Sequence, residues 1–252
     1  MFEYILEKIN NEKIIEKPYK HLEIKDLLKE EHLSNLLQDK QLHFDECEND
    51  LELFQNLIQK QYTPFAGAGV TTNLNEYLEM VKDKKGILGM GFRLDKPENP
   101  ILINLLNFFR SDKFHNCLKS KFNLSRPTRL HTDIRKYLSR YQISPHPDMR
   151  EKAMTYLLNI NKPGAELLDI HTKIMSFKKE YEWKYEEWEK NPNTQREWVP
   201  WDWCKEEKSI NENNSIVIFS PNDRTLHAAK IYYDHYKLQR TQLYGNLWYT
   251  GS

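Results

Sequence analysis

From Ser125 onward the chain is a succession of short runs rich in Tyr, Ile, Leu, Val and Thr, punctuated by Pro, Asn and Gly, and this texture limits the possible folds more than any other feature. Runs of this kind predict strands over 132–143, 153–159, 166–177, 215–219, 224–231 and 239–249. Many short strands in series close into a sandwich or jelly roll. Before Ser125 the apolar spacing is helical instead. Leu27, Leu28, Leu33, Leu36 and Leu37 recur over 24–39, and Leu51, Leu53, Phe54, Leu57 and Ile58 recur over 50–61. Asn73 caps a third predicted helix that runs to Lys85 and ends at Gly86, and Pro97 and Pro100 precede a fourth carrying Ile103, Leu105, Leu106, Phe108 and Phe109. The expected architecture is α+β, with a mainly helical region over 1–125 buttressing a β core over 126–252. A charged insert at 178–208, holding Trp183, Trp188, Trp198, Trp201 and Trp203, interrupts that core.

Lysine plus arginine and aspartate plus glutamate each total 37 of 252 residues, so no bulk field draws nucleic acid or an anionic membrane, and neither is expected as a partner. Aromatic residues make up 12%, which suits a globular core built on rings rather than a disordered chain. Cys47, Cys117 and Cys204 are widely separated and form no Cys-x-x-Cys pair, and a reducing cytoplasm is the expected compartment. The first residues mix charge into every turn, so a secretory leader is not expected, and no stretch approaches the ~18 apolar residues of a membrane span. Gly67-Ala68-Gly69 lacks both a third spaced glycine and a following Lys-Ser/Thr, and reads as a turn rather than a phosphate loop.

The stretch SPHPDMREKAMTYLLNIN carries the chemistry. On an extended strand residues i and i+2 share a face, so His146 and Asp148 present an imidazole and a carboxylate to one ion. His227, on the next-to-last predicted strand, supplies a third donor. Two histidines and a carboxylate form the facial triad that leaves metal positions open for reactants. The tripeptide alone is weak, because His131-Thr132-Asp133 is another His-x-Asp. What separates them is the sequence downstream of His146, and His131 and Asp133 are expected outside the site. The isolated His115, His171 and His235 are also expected to be surface or hydrogen-bonded residues. Further on, Arg240 is able to bind a carboxylate through two parallel hydrogen bonds, a geometry lysine does not reproduce.

With these residues in place, the segment from Tyr137 to Trp248 resembles the Fe(II)/2-oxoglutarate oxygenase superfamily, in its prolyl 4-hydroxylase-like branch. The resemblance is carried by His146-Pro147-Asp148, the Thr155 to Asn159 run, Gly164 to Leu167, Ile216 to Phe219, His227-Ala228 and Arg240. Ala165 stands where the branch has a second glycine, and Arg240 where many prolyl hydroxylases carry lysine, which weakens any inference that the substrate is proline. The resemblance implies a double-stranded β-helix (jelly-roll) core with Fe(II) on His146, Asp148 and His227. It also implies 2-oxoglutarate and O2 as co-substrates, with the far carboxylate of 2-oxoglutarate on Arg240. The implied reaction is hydroxylation of an unactivated C–H bond. Related halogenases have a small residue where this chain keeps Asp148, which disfavours halogenation. Tyr137, Tyr141 and Tyr156 flank the metal strands, and Tyr156 is the candidate for a hydrogen bond to 2-oxoglutarate, although strand tyrosines usually serve the core. Gln242 shares a strand face with Arg240 and is a further candidate for the pocket.

The tryptophan-rich insert has two readings, packing against the barrel or a lid over the substrate. A small molecule, such as an amino-acid or sugar derivative, is favoured over a protein substrate because no separate peptide-binding module is visible. Three alternatives stand beside this reading: a peptide hydroxylase, a non-catalytic cupin-like metal module, and an interaction protein using the insert as its contact surface.

Overall fold

A computed structural model describes residues 1–44, 46–67, 70–83, 89–232 and 238–251. Ala68, Gly69, the predicted helix end at Lys85 and Gly86, and His235 lie outside them. The chain begins with helix α1 (Tyr4–Asn11) and strand β1 (His21–Ile24), then α2 (Glu30–Leu37), α3 (Asp50–Gln59), β2 (Tyr62–Pro64), α4 (Leu74–Asp83), β3 (Gly91–Leu94), α5 (Pro100–Phe109) and α6 (Asp112–Lys121). Helices α3, α5 and α6 start where polar side chains cap free backbone N–H groups. The Asn49 side chain accepts from Glu52 N, and Ser111 accepts from Phe114 N. Asn99 accepts from Ile101 N, with Pro100 in the first turn.

Eight strands follow: β4 (Thr128–Tyr137), β5 (Gln142–His146), β6 (Lys152–Asn159), β7 (Thr172–Phe177), β8 (Cys204–Ile210), β9 (Ile216–Phe219), β10 (His227–Lys230) and β11 (Gln242–Tyr249). They divide between two antiparallel sheets, one ordered β1-β9-β6-β11-β4-β3-β2 and the other β5-β10-β7-β8. Apart from the pair β7–β8, which stays in the smaller sheet, successive strands of β4 to β11 cross from sheet to sheet, and each sheet takes four of them. This is the jelly-roll winding of a double-stranded β-helix. The predicted strand 132–143 is therefore two strands in different sheets, separated by a turn in which Arg140 has φ +62°.

The N-terminal region is not only a helical buttress. β1 pairs with β9, and β3 joins β2 to β4, so three strands from the first 125 residues extend the larger sheet. The helices cover the outer face of that sheet, where Phe109 and Phe114 pack against Tyr156 with ring centres 5.8 and 5.3 Å away. Every residue of β6 from Ala153 to Asn159 is buried, because one face meets the helices and the other the barrel interior. Gly245, which pairs with Tyr156 across β6 and β11, is required there, since a Cβ at 245 would lie 2.0 Å from the Tyr156 ring.

The insert folds onto the smaller sheet. Helix α7 (Trp183–Lys190) buries Tyr185 and Trp188 against Met175 and Phe177, and β8 then pairs with β7. Tyr181 stacks on Trp203 at 4.8 Å. No described helix is long and apolar enough to cross a membrane.

Candidate active site

The two sheets enclose a cavity of about 360 Å³. His146 reaches it from the last position of β5, and His227 from the first position of β10, directly opposite in the ladder. Asp148 does not share the strand with His146, contrary to expectation. It sits two residues past the strand end in a left-handed backbone conformation, φ +63°, and that turn rather than strand alternation swings its carboxylate toward the imidazoles.

The three side chains converge. One donor atom from each of His146, Asp148 and His227 lies within 4.8 Å of the others, and all three residues are buried. Asp148 Oδ1 is 3.7 Å from His146 Nε2, and its Oδ2 is 3.7 Å from His227 Nε2. The other ring nitrogens face carbonyl oxygens, His146 Nδ1 at 2.8 Å from Ser144 O and His227 Nδ1 at 3.2 Å from Thr225 O. A carbonyl only accepts, so each Nδ1 carries the proton and each Nε2 turns its lone pair inward. Burial pushes His227 down to about 4, which keeps the ring neutral near pH 7. Burial by itself raises the Asp148 carboxyl, but Lys152, followed by His227, outweighs it and holds the group well below the usual carboxylate range. Lys152 Nζ donates to Asp148 Oδ1 at 2.5 Å, and Thr155 Oγ1 donates to Oδ2 at 2.7 Å. Two imidazoles with Nδ1 engaged by a carbonyl and one ionised carboxylate, each held by an outer partner, fit a divalent transition metal.

Arg240 lines the same cavity. It precedes β11 by two residues instead of lying within it, but Arg240, Gln242, Tyr244, Asn246 and Trp248 all face inward at alternate positions. The Arg240 side chain is buried, donates from Nη2 to Thr172 Oγ1 at 2.6 Å, and holds its guanidinium 5.3 Å from the Tyr137 ring centre. Gln242 Nε2 donates to Asn159 Oδ1 at 3.0 Å, which turns its amide along the cavity wall.

Tyr156 is a correction. Thr155 and Leu157 face the cavity, so Tyr156 between them points outward, where its hydroxyl meets Thr132 Oγ1 at 2.5 Å and its ring packs under α5 and α6. Tyr137 and Tyr141 are the tyrosines of this group that line the cavity. His131 and Asp133 do not line it. Asp133 accepts from Arg135 Nε at 2.8 Å, and His131 Nε2 lies 3.0 Å from Asp133 Oδ2. His115 and His171 lie elsewhere, against Thr128 Oγ1 and Ala165 O.

Among the lining residues that sequence reasoning did not place in the site are Arg135, Lys152, Thr172 and Arg196, and Trp198 was left between packing and lid. The first was within reach, since 135 and 137 share a strand face. Arg196 and Trp198 come from the insert, and no periodicity in that segment marks their direction.

No family model matches the chain, and no curated protein sequence matches it. Solved structures do. A Pseudomonas putida prolyl-4-hydroxylase superposes with a TM-score of 0.52 at 9% identity, over 100% of both chains. A Trichoplax adhaerens prolyl hydroxylase in complex with a hypoxia inducible factor oxygen degradation domain peptide gives 0.43 at 11% identity, over 98% of this chain and 88% of the other. The non-heme alpha ketoglutarate dependent epimerase SnoN from nogalamycin biosynthesis gives 0.41 at 8% identity, over 97% and 81%. The eight-strand winding and the full-length superposition on the first of these agree: the chain has the α+β fold of that prolyl-4-hydroxylase.

Proposed function

We propose that this protein is an Fe(II)- and 2-oxoglutarate-dependent oxygenase that hydroxylates a C–H bond of a small molecule. One observation carries the reading: the convergent His146, Asp148 and His227 share a single buried cavity with Arg240. A metal held structurally has no use for a buried guanidinium across the cavity, which argues against the cupin-like alternative. Bound Fe(II) with 2-oxoglutarate and O2 supplies the oxidising chemistry. The chain's own part is to bind, orient and exclude water. His146 and His227 offer Nε2 lone pairs, and Asp148 offers an ionised carboxylate whose direction Lys152 and Thr155 fix. Arg240 and Thr172 form the seat for the far carboxylate of 2-oxoglutarate, with Tyr137 closing its side. Tyr244, Trp248 and Leu157 keep the space dry and leave room for a substrate of modest size.

The test is spectroscopic. Under anaerobic conditions Fe(II) plus 2-oxoglutarate gives the weak visible charge-transfer band of the chelate in the native protein, and Asp148→Ala and His227→Ala abolish it. Arg240→Ala weakens 2-oxoglutarate binding by roughly ten- to a hundredfold while metal binding persists. An unchanged band in both ligand variants would sink the assignment.

A further inference from the structure

The cations of the cavity are not equally employed. Four of them line it, Arg135, Lys152, Arg196 and Arg240, against one carboxylate, Asp148. Lys152 is paired with Asp148, Arg135 is paired with Asp133 behind the wall, and Arg240 donates to Thr172 at the seat proposed for 2-oxoglutarate. Arg196 differs from all three. Its side chain is only 3% exposed, and where Arg240 still donates to Thr172, Arg196 makes no hydrogen bond among the described residues, at Nε or elsewhere. The carboxylate nearest to it, Asp223, is 3.8 Å from Nη1, beyond hydrogen-bond reach, and is already engaged by Arg150 at 3.0 Å. Burial pulls the guanidinium below its ordinary value, with Asp223 opposing. A buried, underpartnered charge is costly, and a fold keeps one where a ligand completes it.

Its position is built and not accidental. Arg150, two residues past Asp148, donates to Thr194 O at 2.6 Å and to Trp188 O at 2.9 Å. Gln195 Nε2 donates to both oxygens of Glu151 at 2.7 and 2.9 Å, and Val199 N donates to Pro145 O at 2.9 Å. Residues 194–199 are thus laced to both sides of the His146-Pro147-Asp148 turn. Within them Arg196 and Trp198 face the cavity, while Glu197 points outward to Lys184 at 2.8 Å. Trp198 also stands edge-on to His146, with ring centres 6.2 Å apart, so the segment that presents Arg196 is in direct contact with the triad.

We infer that Arg196 is the recognition group for an acidic substituent, a carboxylate or a phosphate, on the molecule this cavity oxidises. The inference rests on the oxygenase reading above and narrows its substrate to an oxyanion-bearing compound with an apolar body. A neutral substrate leaves Arg196 buried with only Asp223, shared with Arg150 and 3.8 Å away, as counter-charge, and a cationic one adds like charge to a lining of four cations against one carboxylate. The planar guanidinium, free at Nε, offers the paired donors that a carboxylate or phosphate takes side-on. The aromatic walls Trp198, Tyr244 and Trp248 suit the rest of the molecule.

The experiment uses the full chain loaded with Mn(II) and saturated with 2-oxoglutarate without oxygen, so that Arg240 is occupied and any remaining anion site is read separately. Calorimetric titrations compare benzoate with benzamide, N-acetyl-L-leucine with N-acetyl-L-leucinamide, and phenyl phosphate with benzoate. At least one acid is expected to bind about tenfold or more tightly than its neutral partner, Arg196→Gln is expected to remove that advantage, and Arg196→Lys to recover part of it. The melting temperature of Arg196→Gln is expected not to fall, because an underpartnered buried charge has gone. Preference for phenyl phosphate over benzoate assigns the site to phosphate, and the reverse assigns it to carboxylate. Equal binding of acid and amide, an unchanged acid affinity in Arg196→Gln, or no binding of any acid at about 10 mM overturns the inference. A lower melting temperature in Arg196→Gln with acid binding intact also overturns it, in favour of a structural pairing with Asp223. Failure of 2-oxoglutarate itself to bind is a separate result, which removes the oxygenase reading and this inference with it.

Discussion

Strands β6 and β11 carry two unlike faces, and the contrast separates what holds this molecule together from what it does. On the outer face Met154, Tyr156, Leu158, Leu243 and Leu247 are sealed by the N-terminal helices in one continuous apolar core. On the inner face Thr155, Gln242 and Asn246 are just as inaccessible but polar, and each spends its hydrogen bonds on a neighbour in or beside the cavity. Burial alone therefore does not distinguish the two sides. The distinction lies in whether a buried side chain is satisfied by dispersion or by directed hydrogen bonds, and adjacent residues of one strand fall on opposite sides of it.

The largest expected effect breaks the outer face. Tyr156→Ala removes a ring wedged between Phe109, Phe114 and the notch at Gly245, and is expected to cost about 3–5 kcal/mol of stability, read as a lower urea midpoint. Below its melting temperature the variant is expected to bind Mn(II) and 2-oxoglutarate as the native protein does. Tyr156→Phe sharpens the point, since it removes only the hydroxyl that meets Thr132. If Tyr156→Phe loses 2-oxoglutarate affinity, Tyr156 serves the cavity after all and the division between faces fails.

The same division explains what was legible in the sequence. The triad could be read because its signal is chemical: a His-x-Asp with a Thr-containing strand behind it and a distal histidine survives any uncertainty about backbone. Arg240 followed from its place beyond His227 and its guanidinium chemistry, and Gln242 from strand alternation with it, which holds even though Arg240 lies just before β11. Alternation also placed Tyr156 beside Thr155 but could not say which of the two faced inward, because β6 is buried on both sides and its apolar run has no polar phase to read. The turn at Asp148 was illegible for a different reason. A non-glycine residue at positive φ is set by its surroundings, and nothing in SPHPDM announces it. Helices α2 to α5 were readable from their leucines. α6 was not, because it buries Phe114 and Leu118 in an otherwise polar segment rich in lysine. Strands β1, β2 and β3 are four residues or fewer, too short for a period of two to stand out. Arg196 depends on how the insert is tied to Arg150 and Glu151, a tertiary fact with no local trace.

A second pair of residues tests the contrast through pH. His171, against Ala165 O, and His227, in the cavity, are both lowered to about 4 by burial first of all. In the unfolded chain a histidine takes up its proton near 6.5, whereas these two resist it in the folded chain, so the unfolded state binds more protons between those values. Stability is then full above about 6.5 and is lost as pH falls toward 4. Each histidine is expected to contribute about 2 kcal/mol of the loss between pH 7 and pH 5 in metal-free protein. His171→Gln is expected to flatten the profile by its own share and to leave metal binding untouched, measured as urea midpoints at the two pH values. A profile as steep in His171→Gln as in the native protein would mean that the acid sensitivity belongs to His227 and to His43, which burial also holds well below the usual histidine value, and not to His171.

The smallest expected effect lies on the inner face, one residue from the largest. Thr155→Val keeps the shape of the side chain and deletes the Oγ1 donor that reaches Asp148 Oδ2 at 2.7 Å, together with the acceptor that Asn246 Nδ2 uses at 3.0 Å. The change is expected to cost about 1 kcal/mol of stability, because the packing is conserved and only the hydrogen bonds are lost. Lys152 still holds Asp148 Oδ1, so the carboxylate stays ionised but loses the partner that fixes its second oxygen. Metal affinity is therefore expected to fall by roughly tenfold, measured by Mn(II) titration, with 2-oxoglutarate affinity of the loaded protein changing less because Arg240 and Thr172 are untouched. Thr155→Ser, which restores the donor without the methyl group, is expected to recover most of the loss in metal affinity. Equal metal affinity in Thr155→Val and the native protein would show that Lys152 alone orients Asp148, and that the hydrogen bonds of the inner face serve the barrel instead of the site.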